Sequence, residues 1–156
     1  MFIHWDKSLE TGHPLVDAEH RLLVLLFRKL DVAIKTHQPD DTLRHIIREV
    51  MRCVEFHFQS EENLMRETAY PGLDTHQARH AELLAELNAF VAKIGARREF
   101  PEDLLSFLNL WLSQHIAQHD QQVVRHVATS VRRPVGEMAY ADYLVTTVPH
   151  VEEGPA

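Results

Sequence analysis

The 156-residue chain holds a single cysteine, Cys53, which excludes an intramolecular disulfide framework. Glycine is scarce at 5 residues, about half its usual share, which leaves few tight turns and favours long helices over a strand-rich fold. The longest unbroken apolar run, Leu22 to Phe27, has six residues, well short of a membrane span. The opening Met1 to Glu10 is polar and acidic and lacks the basic stretch and apolar core of a secretory signal. Positive charge is also in short supply. The formal net charge of −7 argues against nucleic acid or an anionic membrane surface as a partner. With 45% apolar residues the chain can bury a core. The expectation is therefore a soluble, cytoplasmic, all-α domain. What it has in excess is histidine, 12 residues of it.

Four stretches carry helical periodicity. The first runs from about Pro14 to His37, with His20, Leu23, Phe27, Leu30 and Ile34 on one face, and Gln38-Pro39-Asp40 breaks it. The second spans about Asp41 to Glu67 through Leu43, Ile46, Val50, Val54, His57, Glu61 and Leu64, and stops at Tyr70-Pro71-Gly72. The third covers about Leu73 to Ala96, with His76, His80, Leu83, Leu87, Phe90 and Ile94 in line. A break at Arg97 to Phe100 leads through Pro101-Glu102-Asp103 into the fourth, which reaches about Val127 through Leu104, Leu108, Trp111, Leu112, His115 and Val123. Short connections between long helices predict an up-down-up-down four-helix bundle. The expected division is a bundle domain over 1–131, opening on a non-helical arm that includes Phe2, Ile3 and Trp5, and a C-terminal extension over 132–156 that fits no template.

A lone histidine on an apolar helical face is ordinarily a core residue with one hydrogen bond. Here His57 and Glu61, and likewise His76 and His80, sit at i, i+4 on stripes that should be buried, one turn apart on one face. That spacing lets two side chains share a metal, and several buried polar groups need a compensating partner. Register strengthens the argument, because in an alternating bundle residues equally far from a connecting loop lie at the same height. From a loop at Pro39, His20 lies 19 residues before, and His57 and Glu61 lie 18 and 22 after. From Tyr70, His57 and Glu61 lie 13 and 9 before, and His76 and His80 lie 6 and 10 after. From Arg98, His76 and His80 lie 22 and 18 before, and His115 and Asp120 lie 17 and 22 after. All seven therefore fall in one thin layer. The fourth helix leaves a choice. His119 is at the regular i+4 spacing from His115, whereas Asp120, at i+5, stands about 140° around an ideal helix and needs an approach from both flanks or a local π-type irregularity. Spacing alone slightly favours His119.

These residues resemble the hemerythrin family, in particular its bacterial single-domain members, from Trp5 to about Asp120. The resemblance rests on Trp5, Gly12, Asp17-Ala18-Glu19-His20, His57-Phe58-Gln59-Ser60-Glu61-Glu62, Tyr70-Pro71, His76-x-x-x-His80 and Trp111-Leu112-Ser113-Gln114-His115-Ile116-x-x-x-Asp120. It implies two iron ions joined by an oxo or hydroxo bridge. His76, His80 and His115 would hold one iron, His20 and His57 the other, and Glu61 and Asp120 would bridge them, leaving His119 a neighbour. Counting donors then gives a filled iron and one with an open position, which the resemblance assigns to dioxygen. It also implies an apolar cap over that position, here Leu23, Phe58, Trp111 and Leu112, which would exclude water. Glu62 is expected beside the centre and not as a ligand.

The implied function is reversible dioxygen binding for carriage, storage or delivery, without catalysis. An alternative uses the same irons to sense oxygen, peroxide or nitric oxide. A di-iron oxidase or peroxidase is disfavoured, because ferritin-like sites draw Glu-x-x-His pairs from two helices and this chain has one such pair, Glu10 and His13, in its arm. A zinc hydrolase would leave ligands unused, and a purely structural bundle would leave the register unexplained. His4, His13, His37, His45, His126 and His150 are expected at the surface, and Cys53 in the core. Tyr140, Tyr143, Leu144, Val145 and Val148 make the extension apolar enough to cap the bundle or dock a protein partner, unless it is a flexible tail. It departs from the family, whose members commonly stop soon after the aspartate.

Overall fold

The computed structural model describes residues 4–97 and 103–147, including their side chains except at 93–97 and 146–147. Phe2, Ile3, Val148, His150, the break before Asp103 and the side chain of Ile94 lie outside the described residues. Within them the chain is helical, without a strand, and no helix is long and apolar enough to cross a membrane.

A 3₁₀ turn, Lys7–Leu9, precedes α1 (Pro14–Lys35). Gly12 joins them at φ +88°, a left-handed conformation that side-chain-bearing residues rarely adopt. Asp17, in the first turn of α1, fixes this corner by accepting from Thr11 N (2.8 Å), Thr11 Oγ1 (2.7 Å) and Gly12 N (3.1 Å). The next helices are α2 (Asp40–Glu67) and α3 (Leu73–Arg97). At the end of α2, Ala69 turns left-handed and Tyr70 N donates to Met65 O (2.8 Å), which closes the helix. A Cβ on Gly72 would come within 2.7 Å of the Tyr70 ring, so this corner admits only glycine without rearrangement.

The fourth rod is made of α4 (Asp103–His115), a π-helical turn (Ile116–Asp120) and α5 (Gln121–Thr129). Backbone angles stay right-handed helical at both joints, and Gln121 N donates to Ile116 O, five residues back. One residue is thereby inserted into an otherwise regular helix.

Contact partners show that neighbouring rods are antiparallel, since one index falls as the other rises. Glu19 meets His57 while Lys29 meets Glu49. His80 meets His115 while Phe90 meets Phe107. His20 meets Asp120 while Phe27 meets Trp111. The result is the expected up-down-up-down bundle. One half is filled by apolar side chains such as Phe27, Leu30, Ile47, Val50, Leu87, Leu104 and Leu108. Each large side chain buried this way stabilises the fold by roughly 1.5–3 kcal/mol.

The extension has more structure than its sequence pattern indicates. Residues Val135–Thr147 form a further helix, α6, set against the start of α1 and the end of α2. Val135 N donates to the Glu67 carboxylate (2.9 Å), His13 Nε2 pairs with Glu137 (3.1 Å), and Gly136 lies against Leu15. Of the predicted surface histidines, His4, His37 and His45 are exposed. His13 is not. It is buried, caps α1 by accepting from Val16 N, and holds α6. His126 is also drawn inward, where its Nε2 donates to Thr68 O (2.9 Å).

Candidate metal centre

In the half of the bundle next to α6, the apolar stripes of all four rods give way to polar residues at one height. His20 from α1, His57 and Glu61 from α2, His76 and His80 from α3, and His115 and Asp120 from the fourth rod are each at most 5% exposed. Their donor atoms form two adjacent groups, Glu61 with His76, His80 and His115, and His20 with His57 and Asp120. Within each group the atoms lie within 4.8 Å of one another.

Asp120 touches both groups. Its Oδ2 lies 2.9 Å from His20 Nε2 and 3.7 Å from His57 Nε2, while its Oδ1 lies 3.0 Å from His115 Nε2 and 3.7 Å from His76 Nε2. Glu61 directs Oε2 to His76 (3.1 Å) and His80 (3.3 Å) and leaves Oε1 buried without a hydrogen bond. The π turn is what admits Asp120. Inserting one residue brings i+5 round to the inner face and turns His119 aside, where it is only partly buried and its ring lies 5.4 Å from that of His115 and 5.9 Å from that of His76. The irregularity needed to bring Asp120 inward is present, and the regular spacing of His119 does not place it in either group.

Two carboxylates that are not among the seven hold ring orientation. Glu19 accepts from His57 Nδ1 (2.9 Å) and from Ser60 Oγ (2.5 Å). Glu62 accepts from His80 Nδ1 (3.1 Å), Gln77 Nε2 (2.7 Å) and Arg66 Nη2 (3.2 Å). With Nδ1 bonded outward, the Nε2 atoms of His57 and His80 point into the centre, where they can bind a metal once deprotonated. Glu62 thus stands beside the centre as expected. Glu19 enters the sequence reading only as part of the motif Asp17 to His20, with no role of its own, although its position next to His20 and level with His57 indicates one.

The electrostatics reflect crowding. Burial and the neighbouring Asp120 work against ionisation of Glu61, but His76, His80 and His57 outweigh them and keep its carboxyl below the ordinary range. Burial is likewise overcome at Asp120 by His115, His20 and His57, which hold it well below that range. His57 is pushed up to about 10, because the carboxylates around it, Asp120 and Glu19 foremost, prevail over burial. Burial and the neighbouring His115 and His76 keep His119 below the usual histidine value.

The four apolar side chains predicted to cap the site are all buried, and two of them lie against its histidines. Leu23 and Leu112 are fully enclosed, Phe58 stacks on the His80 ring at 3.7 Å, and Trp111 lies parallel to the His115 ring at 6.0 Å. Cys53 is partly buried, with its thiol pushed up to about 11 by burial and by Glu19 and Glu49, so it is a poor nucleophile.

The donor set fits a pair of cations. Buried polar atoms are ordinarily hydrogen-bonded, yet His57 Nε2 and Glu61 Oε1 are enclosed without a hydrogen bond, and Asp120 Oδ1 has only the ion-pair contact with His115. All three belong to residues of the two groups, and imidazole with carboxylate is a donor combination suited to iron.

Comparison with known proteins gives the same reading. The hemerythrin HHE cation binding domain matches residues 11–127. A bacteriohemerythrin of Stenotrophomonas maltophilia is 26% identical over 144 residues, covering 92% of this chain and 94% of that one. One from Clostridium acetobutylicum is 27% identical over 129 residues, covering 80% and 99%. A wild-type hemerythrin crystal structure superposes with a TM-score of 0.74 at 22% identity, covering 83% of this chain and all of that one, which establishes likeness of fold.

Proposed function

The chain belongs to the hemerythrin family, and from that premise we propose that it binds dioxygen reversibly at a carboxylate-bridged pair of iron ions within residues 1–131. His76, His80 and His115 would hold one iron and His20 and His57 the other, with Glu61 and Asp120 shared. A bound pair of ferrous ions would supply the two electrons that reversible dioxygen binding needs.

The observation that carries this reading is the division of the Asp120 carboxylate, one oxygen toward each histidine group. The unequal division of histidines supports it further, because it leaves the His20 and His57 side one ligand short. The residues around the centre favour reversible binding. Leu23, Phe58, Trp111 and Leu112 are buried and present no acid that could protonate a bound ligand. Glu19 and Glu62 hold their imidazoles in one tautomer with the donor nitrogen facing inward.

The test is anaerobic reduction of the iron-loaded protein followed by titration with oxygen, monitored by visible absorbance. A charge-transfer band should grow with oxygen and disappear when oxygen is removed. A band that never forms, or oxygen consumed without return, overturns the reading. Asp120→Ala should lose the paired site, while His119→Ala should keep it. The reverse outcome would show that the i, i+4 pair is the working one.

A further inference from the structure

Each half of the centre carries one carboxylate bonded to the outer nitrogen of one histidine, and the two are set in unlike surroundings. Glu62, behind His80, is shared with the guanidinium of Arg66 (3.2 Å) and the amide of Gln77 (2.7 Å). Glu19, behind His57, has only the hydroxyl of Ser60 besides the imidazole. Among the described residues no lysine or arginine pairs with Glu19. Its side chain is 12% exposed and that of His57 1%, so solvent does little to screen its charge. The residue before Glu19 faces solvent and the one after it is His20. Glu19 therefore links α1 and α2 immediately outside the two-histidine half.

A carboxylate on the far nitrogen of a ligating imidazole fixes the ring and raises its basicity. The gain in basicity scales with the net charge left on the carboxylate. A nearby guanidinium reduces that gain with a full positive charge, and a neutral serine hydroxyl reduces it less. We propose that Glu19 and Glu62 are positioning residues, one for each half of the centre, and that Glu19 additionally makes His57 the stronger electron donor, biasing the two-histidine iron toward its ferric state. This rests on the di-iron reading above. It extends that reading by giving the half with the open position its own electronic control, separate from its ligands.

The test compares anaerobic ferrous titrations and reduction potentials of the wild type with those of Glu19→Ala, Glu19→Gln, Glu62→Ala and Glu62→Gln. Each alanine variant should weaken one of two bound ions by about 10–100-fold, leaving the other near wild type. Glutamine can still accept from the imidazole N–H but carries no charge. Glu19→Gln should therefore retain both ions and move the potential upward, whereas Glu62→Gln should move it less, since Arg66 already offsets that charge. Should an alanine variant fail to fold, the glutamine pair still decides the matter. If the wild type binds two ions and Glu19→Gln leaves the potential unmoved, or Glu62→Gln moves it more, the inference falls and the di-iron reading stands. A wild type that binds no ion pair overturns both.

Discussion

The two halves of the bundle are equally well buried and chemically opposite. In one, Leu30, Val50, Leu104 and Leu108 are at most 1% exposed and need nothing beyond each other. In the other, His20, His57, Glu61 and Asp120 are just as inaccessible, yet several of their polar atoms make no hydrogen bond. Dispersion and water exclusion suffice for the first half. The second half is incomplete as a set of protein groups, because desolvated charges and lone pairs are destabilising until something binds them. Equal burial therefore means self-sufficiency at one end of the molecule and a requirement for ligands at the other.

The largest effect should come from removing metal. Each of two ions bound only by the folded state at 1,000 times its dissociation constant contributes about 4 kcal/mol, about 8 kcal/mol for the pair, so calorimetry should show a lower melting temperature after chelation. A melting temperature indifferent to metal would erase the distinction between the halves. Leu30→Ala attacks the apolar half instead and should cost about 2–5 kcal/mol in both metal-free and metal-loaded protein, with iron content unchanged on elemental analysis. Lost iron would show the halves to be mechanically coupled.

The metal-free protein should also reveal the polar half through pH. His57 is pushed up to about 10 in the fold, against 6.5 ordinarily. Its contribution to stability is therefore complete below about pH 6.5 and declines as pH rises through about 10. Denaturant titrations between pH 7 and 9 should show falling stability, with a flatter profile for His57→Gln. Stability that rises across that window would contradict the charge balance described for the site. The smallest effect should follow deletion after Arg133. Losing the Val135–Glu67 and His13–Glu137 contacts removes about 1–3 kcal/mol, and the deletion should leave the visible spectrum of the iron protein intact.

The sequence makes these features legible to different degrees, and the reason lies in where each partner sits along the chain. The four rods follow from stripes repeating at helical spacing, and the polar layer follows from distances to three loops. Asp120 is legible as a problem, since i+5 cannot share a face with i in a regular helix, and the π turn supplies the local geometry that resolves it. His13 and His126 are not legible, because neither has a partner at helical spacing. Their partners are Glu137 and the carbonyl of Thr68, brought close only by tertiary packing. Glu19 escapes notice for a similar reason, since its partners His57 and Ser60 lie on the next helix. In α6 the apolar Val135, Met138, Tyr143, Leu144 and Val145 are all exposed. The helix docks instead through Gly136, Glu137 and its first backbone amide, so no hydrophobic stripe marks it.

The central claim is that the polar half is built to be completed by a pair of metal ions. The most direct measurement is the iron content per chain after anaerobic reconstitution and removal of excess metal, made on the wild type and on Leu30→Ala in parallel. The account predicts two irons per chain in both proteins. One iron or none in the folded wild type would contradict it.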